Sequence, residues 1–437
     1  MSSPQVLIIG AGLGGLTMAI LLERAKIDYK VLERGETVRA LGSATALAPN
    51  VLAMFEQLGL LEELRAISKV VMVSRVFRES DMTEISATPL EKFEKICGYN
   101  TLIMSRPDLH ALLLSHVPPE KILMGKKVVS LEQDADRVTI QCGDNSTYHG
   151  DIVIGSDGAY SAVRQSLYKQ LEKDGLLPAE DMEQLKVCHM SILGTTTALD
   201  PTMYKRIDDV ESQCDAVIGD NKPHTVQHNS FDYSGKTIST VDWGTELSDT
   251  VSENWRSFKV PLGGTIGDLI NSTPDNAVSK VALEEKLYKT WHHGRVVLIG
   301  DAAHKMLPNS GRGAVNAMLD AVILANTLYE MPDSKLESIT AALREYYEER
   351  YDHAVADLVS SQHMARLLAG QTWLDRLARM VIFNLLPDFV QTKIYGKSLG
   401  YRPQLSFLPQ VPSRGSEPVL PQKRSAKYER QQQAAAL

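Results

Sequence analysis

The apolar run Val6-Leu7-Ile8-Ile9 passes without a linker into Gly10-Ala11-Gly12-Leu13-Gly14-Gly15, and the glycines pass directly into the helical pattern Leu16-Thr17-Met18-Ala19-Ile20-Leu21-Leu22. A buried strand, a tight glycine turn and a helix in that order commit a chain to a parallel sheet with helical crossovers. Gly10 permits the tight turn, Gly12 lets the backbone approach a pyrophosphate, and Gly15 lets helix and strand pack closely. The free N–H groups of the helix N-terminus favour an anion there. A second strand, Tyr29-Lys30-Val31-Leu32, ends in Glu33, whose carboxylate accepts hydrogen bonds from ribose hydroxyls and repels a 2′-phosphate. The pattern predicts a dinucleotide of the FAD or NAD kind rather than NADP.

Near the other end, Arg295-Val296-Val297-Leu298-Ile299 is another apolar strand. It delivers Gly300 and Asp301 to its C-terminal end, where open α/β sheets bind ligands, and so places Asp301 to bind hydroxyls. An ordinary helix N-cap is the competing role for Asp301. Pro308-Asn309-Ser310-Gly311-Arg312-Gly313 then opens an apolar helix from about Ala314 to Leu328, giving a second helix N-terminus. In a flavin the anion facing it is the N1–C2=O edge, which turns negative on reduction. Between the two motifs, the strand at Ile152-Val153-Ile154 runs into Gly155-Ser156-Asp157-Gly158 and then a helix.

In this order, Gly10/Gly12/Gly15, Asp157-Gly158 and Gly300-Asp301 resemble the motifs of class A, single-component FAD-dependent aromatic hydroxylases of the para-hydroxybenzoate hydroxylase and salicylate hydroxylase type, over about residues 5 to 365. The string from Gly300 to Asn326, with Lys305-Met306 and Asn316, is most similar to fungal members that oxidise natural products. The resemblance implies a non-covalent FAD held by Gly10, Gly12, Gly15, Glu33, Ala44, Arg106, Asp157, Asp301, Gly311, Gly313 and Ala314. Arg106, in Ser105-Arg106-Pro107-Asp108-Leu109, resembles the family arginine that contacts the cofactor, and Ala44 and Ala314 fall where the backbone meets it. Arg312 stands where the family pattern has glutamine or a small residue.

The resemblance also implies NAD(P)H as transient reductant, O2 as co-substrate, and a flavin C4a-hydroperoxide that hydroxylates or epoxidises an electron-rich aromatic or isoprenoid-like small molecule. The cofactor carries that chemistry, so no catalytic acid or base is assigned. His189, Tyr204, His224, His228 and Tyr288 are candidate bases in the substrate region, each also readable as an ordinary strand residue, and His304 is read as a structural hydrogen bond. Two other functions use such a fold: a flavin-dependent reductase of the geranylgeranyl-reductase kind, and a non-catalytic prenyl or lipid chaperone like the escort proteins of small GTPases. Retention of every FAD motif, Asp301 above all, speaks against the chaperone.

A net charge of -8 over 437 residues, with no long basic run outside a short C-terminal stretch, excludes nucleic-acid binding through the phosphate backbone. Cys97, Cys142, Cys188 and Cys214 are scattered, without the close pairs of a metal site, and read as core thiols in a reducing compartment. The N-terminal apolar run lacks a basic flank, and no segment reaches the ~18 apolar residues of a membrane span. The expectation is a cytoplasmic protein, at most peripheral to a membrane.

The predicted fold class is α/β. A Rossmann-like (GxGxxG) FAD-binding domain is assembled from 1–70, 97–186 and 286–365, and an antiparallel β substrate domain from 71–96 and 187–285 is interleaved with it. A helical C-terminal region (366–410) and a disordered tail (411–437) follow. Thr237-Ile238-Ser239-Thr240-Val241-Asp242-Trp243 alternates as a half-solvated strand does. Glu62-Glu63 and Glu284-Glu285 read as surface charge on helices. Residues 372–390 read as an amphipathic helix whose apolar face, with Trp373, Leu374, Leu377, Val381 and Leu385, either packs on the FAD domain or rests on a membrane surface.

Overall fold

The computed structural model describes residues 5–37, 44–78, 80–200, 202–204, 213–218, 225–230, 237–243, 256–275, 278–308, 311–369 and 372–435. Six short strands build the frame: β1 (Val6–Ile9), β2 (Tyr29–Leu32), β3 (Ile122–Leu123), β4 (Ile152–Gly155), β5 (His292–His293) and β6 (Val296–Leu298). They form one sheet in the order β5-β6-β4-β1-β2-β3. β1 lies parallel to β2 on one side and to β4 on the other, so that Ile8 sits between Val31 and Ile154, and β4 is parallel to β6. Every residue of β1 and β4 is buried, which is why these strands read as unbroken apolar runs rather than alternating ones. Helices α1 (Leu13–Ala25), α2 (Arg312–Glu330) and α3 (Leu336–Ala369) supply much of the packing on this sheet.

A second sheet has eight strands. Its order is His304–Lys305, Val278–Leu287, Lys186–Thr195, Thr237–Trp243, Thr225–Ser230, Gln213–Ile218, Val73–Arg78 and Glu84–Pro89. Its pairs are antiparallel except where Gln213–Ile218 runs parallel to Val73–Arg78. The first of these strands begins just after Gly300-Asp301, with His304 opposite Leu287, so this one turn joins the two sheets. A separate core of Phe77, Leu199, Tyr204, Val217 and Ile266 packs in this part of the molecule.

Two expectations are corrected. Glu284 and Glu285 are not on a helix but on strand Val278–Leu287, where alternate side chains face opposite sides. Glu284 is buried and accepts a hydrogen bond from Tyr160 Oη at 2.5 Å, while Glu285 accepts one from Gln362 Nε2.

In the segment 411–437, expected to be disordered, the described residues 411–435 are ordered and include the helix Ala426–Ala435. Its polar residues find distant partners: Arg414 pairs with Glu56, Ser425 Oγ donates to Glu330, and Tyr329 Oη donates to Gln431 Oε1 at 2.8 Å. Just before it, Arg402 Nη1 donates to Cys97 O at 2.7 Å and Leu405 N to Gln57 Oε1 at 2.8 Å. Composition underestimates order here because the stabilising groups are contributed by other parts of the chain.

Cys97 and Cys142 are buried free thiols. His224 lies outside the described residues, as do the side chains of His189, His228, Cys188 and Cys214.

Candidate functional site

At the C-terminal ends of β1, β2, β4 and β6 lies a cleft of about 580 Å³, within the ~300–1,000 Å³ usual for small-molecule and cofactor sites. Gly10, Gly12, Glu33, Ala44, Arg106, Asp157, Asp301, Gly311, Gly313 and Ala314 all line it. Gly15 does not; it is buried in the first turn of α1.

The glycines divide into two kinds. A Cβ on Gly15 would stand 2.0 Å from Gly10 O and 2.6 Å from Ser156 Oγ, and one on Gly10, whose φ is +102°, would stand 2.7 Å from Ser156 O. These two are glycine because strand, turn and helix approach that closely. A Cβ on Gly12, Gly158 or Gly313 would meet no protein atom within 4 Å. At Gly12 and Gly313 no protein atom requires the bareness and both line the cleft, whereas at Gly158 a φ of +83° itself favours glycine.

Two helices point their N-termini into this space. α1 starts after Gly12 and α2 after Gly311; neither N-cap makes a side-chain hydrogen bond and neither first turn contains an acid. Their leading N–H groups and dipoles are therefore available to an anion. The helices also touch: a Cβ on Gly14 would lie 3.1 Å from the Ala317 methyl, and one on Gly300 2.9 Å from it.

Glu33 stands at the end of β2 with its carboxylate oriented by two backbone donors, Ala11 N to Oε2 and Gly35 N to Oε1, both at 2.8 Å. Arg106 opens the helix Arg106–Ser115 and is exposed on the cleft wall. Asp301 caps no helix; its Oδ2 accepts a hydrogen bond from Lys305 Nζ at 2.5 Å. Asp157 Oδ2 accepts from Ala162 N at 2.7 Å, whereas its Oδ1 is buried without a partner, and burial pushes this carboxyl above the usual carboxylate range. The cleft thus offers backbone donors for a diphosphate, carboxylates for hydroxyls and an unoccupied acceptor, the set of groups a dinucleotide needs.

Beneath the Gly300 turn is a charged cluster that sequence reasoning missed. Asp320 of α2 is fully buried; its Oδ2 accepts from Gly300 N at 2.8 Å and pairs with His304 Nε2 at 2.6 Å, and its Oδ1 accepts from Arg350 Nε at 2.8 Å. Arg350, fully buried on α3, also donates to Asn316 Oδ1 at 2.7 Å. Burial alone would raise the Asp320 carboxyl, but the adjacent His304 and Arg350 hold it down at about 2. His304 is thus a structural partner, as its place after the strand predicted. The available signal was Asn316 and Asp320, four apart, in the otherwise apolar stretch Ala314–Ala325.

Arg312, the departure from the family pattern, turns to Asn50 Oδ1 at 3.0 Å and Ser398 Oγ at 2.6 Å, fastening the start of α2 to the C-terminal region. Of the candidate bases, Tyr204 is buried in the second core and Tyr288 in the main one, its ring 4.1 Å from the Arg164 guanidinium. Neither lines the cleft.

Residues 3–360 match the family model described as an FAD binding domain. Among curated proteins, the FAD-dependent monooxygenase ausM of Penicillium brasilianum is 28% identical, covering 93% of this chain and 88% of its own length. The FAD-dependent monooxygenase terM of Tolypocladium album is 27% identical, covering 88% and 82%. Among solved structures, HpxO of Klebsiella pneumoniae complexed with FAD and uric acid aligns with a TM-score of 0.76 at 22% identity, over 91% of this chain and 97% of that one. The 2,6-dihydroxypyridine-3-hydroxylase from Arthrobacter nicotinovorans aligns at 0.68 and 18%, over 85% and 94%.

Proposed function

From the chain's membership of the FAD-binding domain family, in which it stands as an FAD-dependent monooxygenase of the class A flavin hydroxylase type, we infer that it uses NAD(P)H and O2 to place one oxygen atom, as hydroxyl or epoxide, on an electron-rich aromatic or alkene substrate. The observation that carries this reading is the convergence of two uncapped helix N-termini, Glu33, Arg106 and Asp301 on one cleft whose glycines leave the space open.

Bound FAD supplies the electron transfer and the activation of O2. The chain's own residues bind and orient. The first N–H groups of α1 would suit the pyrophosphate, Glu33 would accept from ribose hydroxyls and Asp301 from the ribitol chain. Arg106 would add a positive charge, and the N-terminus of α2 would favour negative charge on the flavin. The turn from Gly300 to His304, held by Asp320, fixes Asp301 relative to both sheets.

The purified protein is expected to be yellow, with one non-covalent FAD per chain. Asp301→Ala removes a charged acceptor and weakens FAD by about 1–3 kcal/mol, read as a raised dissociation constant in a flavin-fluorescence titration. An unchanged constant removes Asp301 from the site.

Product analysis by mass spectrometry with 18O2 and NAD(P)H, on phenolic and prenylated panels, tests the reaction itself. Gain of one labelled oxygen is the expected result. NAD(P)H consumption that proceeds equally without O2 and yields a reduced product assigns the chain to the reductase class instead.

A further inference from the structure

Residues 372–399 expose an apolar surface unlike any other in the described molecule. They comprise α4 (Trp373–Met380), a π-helical turn at Val381–Leu385 and α5 (Asp388–Leu399). One side of this segment is already fastened to the body. Phe383 packs with Val76 and Leu368 near the edge of the second sheet, Tyr395 meets Phe93 with ring centroids 5.2 Å apart, and Leu399 packs on Ile96 and Cys97. The other side is bare: Trp373 is 70% exposed, Leu385 62% and Phe389 75%, with Leu374, Met380 and Ile382 exposed beside them.

The charge on this surface has one dominant sign. Asp375 is withdrawn from it, buried in a capping box with Thr372 and held by Arg366 Nε at 2.7 Å. The charged residues of 376–399 are Arg376, Arg379, Lys393 and Lys397 against the single acid Asp388, in a chain whose net charge is -8; Arg379 turns back to Leu368 O, whereas Lys393 and Lys397 are exposed and, four and eight residues after Phe389, share its side of α5. Exposed aromatics and aliphatics flanked by cations match the boundary between anionic headgroups and acyl chains. A two-fold pairing of this surface with a second copy would bring two surfaces of the same charge sign together. No described helix is long and apolar enough to cross a membrane.

We propose that α4, the π-helical turn and α5 seat this protein on the surface of an anionic lipid bilayer, with Trp373 and Phe389 entering the headgroup–acyl boundary and Lys393 and Lys397 meeting lipid phosphates. Such seating is independent of the oxidation chemistry, and would present the enzyme to substrates dissolved in the bilayer.

The test is co-sedimentation of the full-length, FAD-loaded protein with vesicles of phosphatidylcholine alone and of phosphatidylcholine mixed with phosphatidylserine. Binding at least about tenfold stronger to the mixed vesicles is expected, falling as salt is added. Trp373→Ser/Phe389→Ser should lower that binding about tenfold while keeping the FAD content and melting temperature of the wild type. Lys393→Gln/Lys397→Gln, which leaves the apolar face intact, should abolish the preference for phosphatidylserine. Wild type that stays in the supernatant with both vesicles overturns the proposal, as does a charge variant that binds as wild type does. Light scattering that shows a stable dimer, converted to monomer by the serine variant, assigns the face to a second copy and also overturns it.

Discussion

Asp320→Ala is expected to destabilise the protein by about 3–5 kcal/mol, because breaking a buried ion pair on one side leaves the other charge uncompensated. Arg350 would stay fully buried on α3 with its principal counter-ion gone, and Gly300 N and His304 Nε2 would lose their shared acceptor. Urea unfolding followed by circular dichroism measures the loss; a midpoint equal to that of the wild type would show that the cluster contributes nothing. Asp320→Asn keeps the shape and an acceptor for Gly300 but not the charge, and should fall between.

The pH dependence has a definite sign. With its folded pKa held at about 2, below the ~3.9 of an unfolded aspartate, the Asp320 contribution is fully present above about pH 4 and is lost as the pH falls through about 2. The alanine variant should lack this acid-labile component.

Gly12→Val is expected to fold like the wild type and yet lose FAD, with affinity lowered about 100-fold or more, equivalent to ~2.7 kcal/mol. The position is open on the protein side and faces the cleft, so the added side chain would occupy ligand space without meeting any protein atom within reach of its Cβ. Gly15→Val should behave in the opposite way. Its Cβ would fall 2.0 Å from a backbone oxygen, which forces strand and helix apart before any ligand is involved. Equal flavin content in wild type and Gly12→Val would remove the pyrophosphate from this turn, and a normally melting Gly15→Val would remove the close-packing explanation for that glycine.

What could be read in advance was what is local in the chain. The parallel strands were legible as apolar runs because both faces are covered, and the cleft was legible because glycine spacing within a single turn encodes backbone approach. The missed features were non-local. Asp320 and Arg350 are thirty residues apart and meet only when α2 and α3 pack. Glu284 looked like a helix-surface acid because its neighbours are good helix formers, yet strand pairing and Tyr160 decided its fate. Arg312 stood out as a departure from a pattern, but nothing near it announced Asn50 and Ser398 as its partners. The tail has the composition of a disordered segment, and its order comes from Glu56, Tyr329 and Glu330, far upstream.

That strap has a consequence for biosynthesis. The hydrogen bond between Gln57 and Leu405 spans 348 residues, and Arg402 and Arg414 close over Cys97 and Glu56 in the same way. At ~5–20 residues per second, the N-terminal elements wait roughly 20–70 s for these partners to leave the ribosome. During that interval Glu56, Gln57 and the backbone of Ile96 and Cys97 lack the partners that the later segment supplies, so the nascent chain should stay open to chaperones until that segment emerges. Ribosome-held chains from which only residues before Arg402 have emerged should therefore bind the cell's holding chaperones, and chains carried on a linker until the Ala426–Ala435 helix clears the exit tunnel should release them.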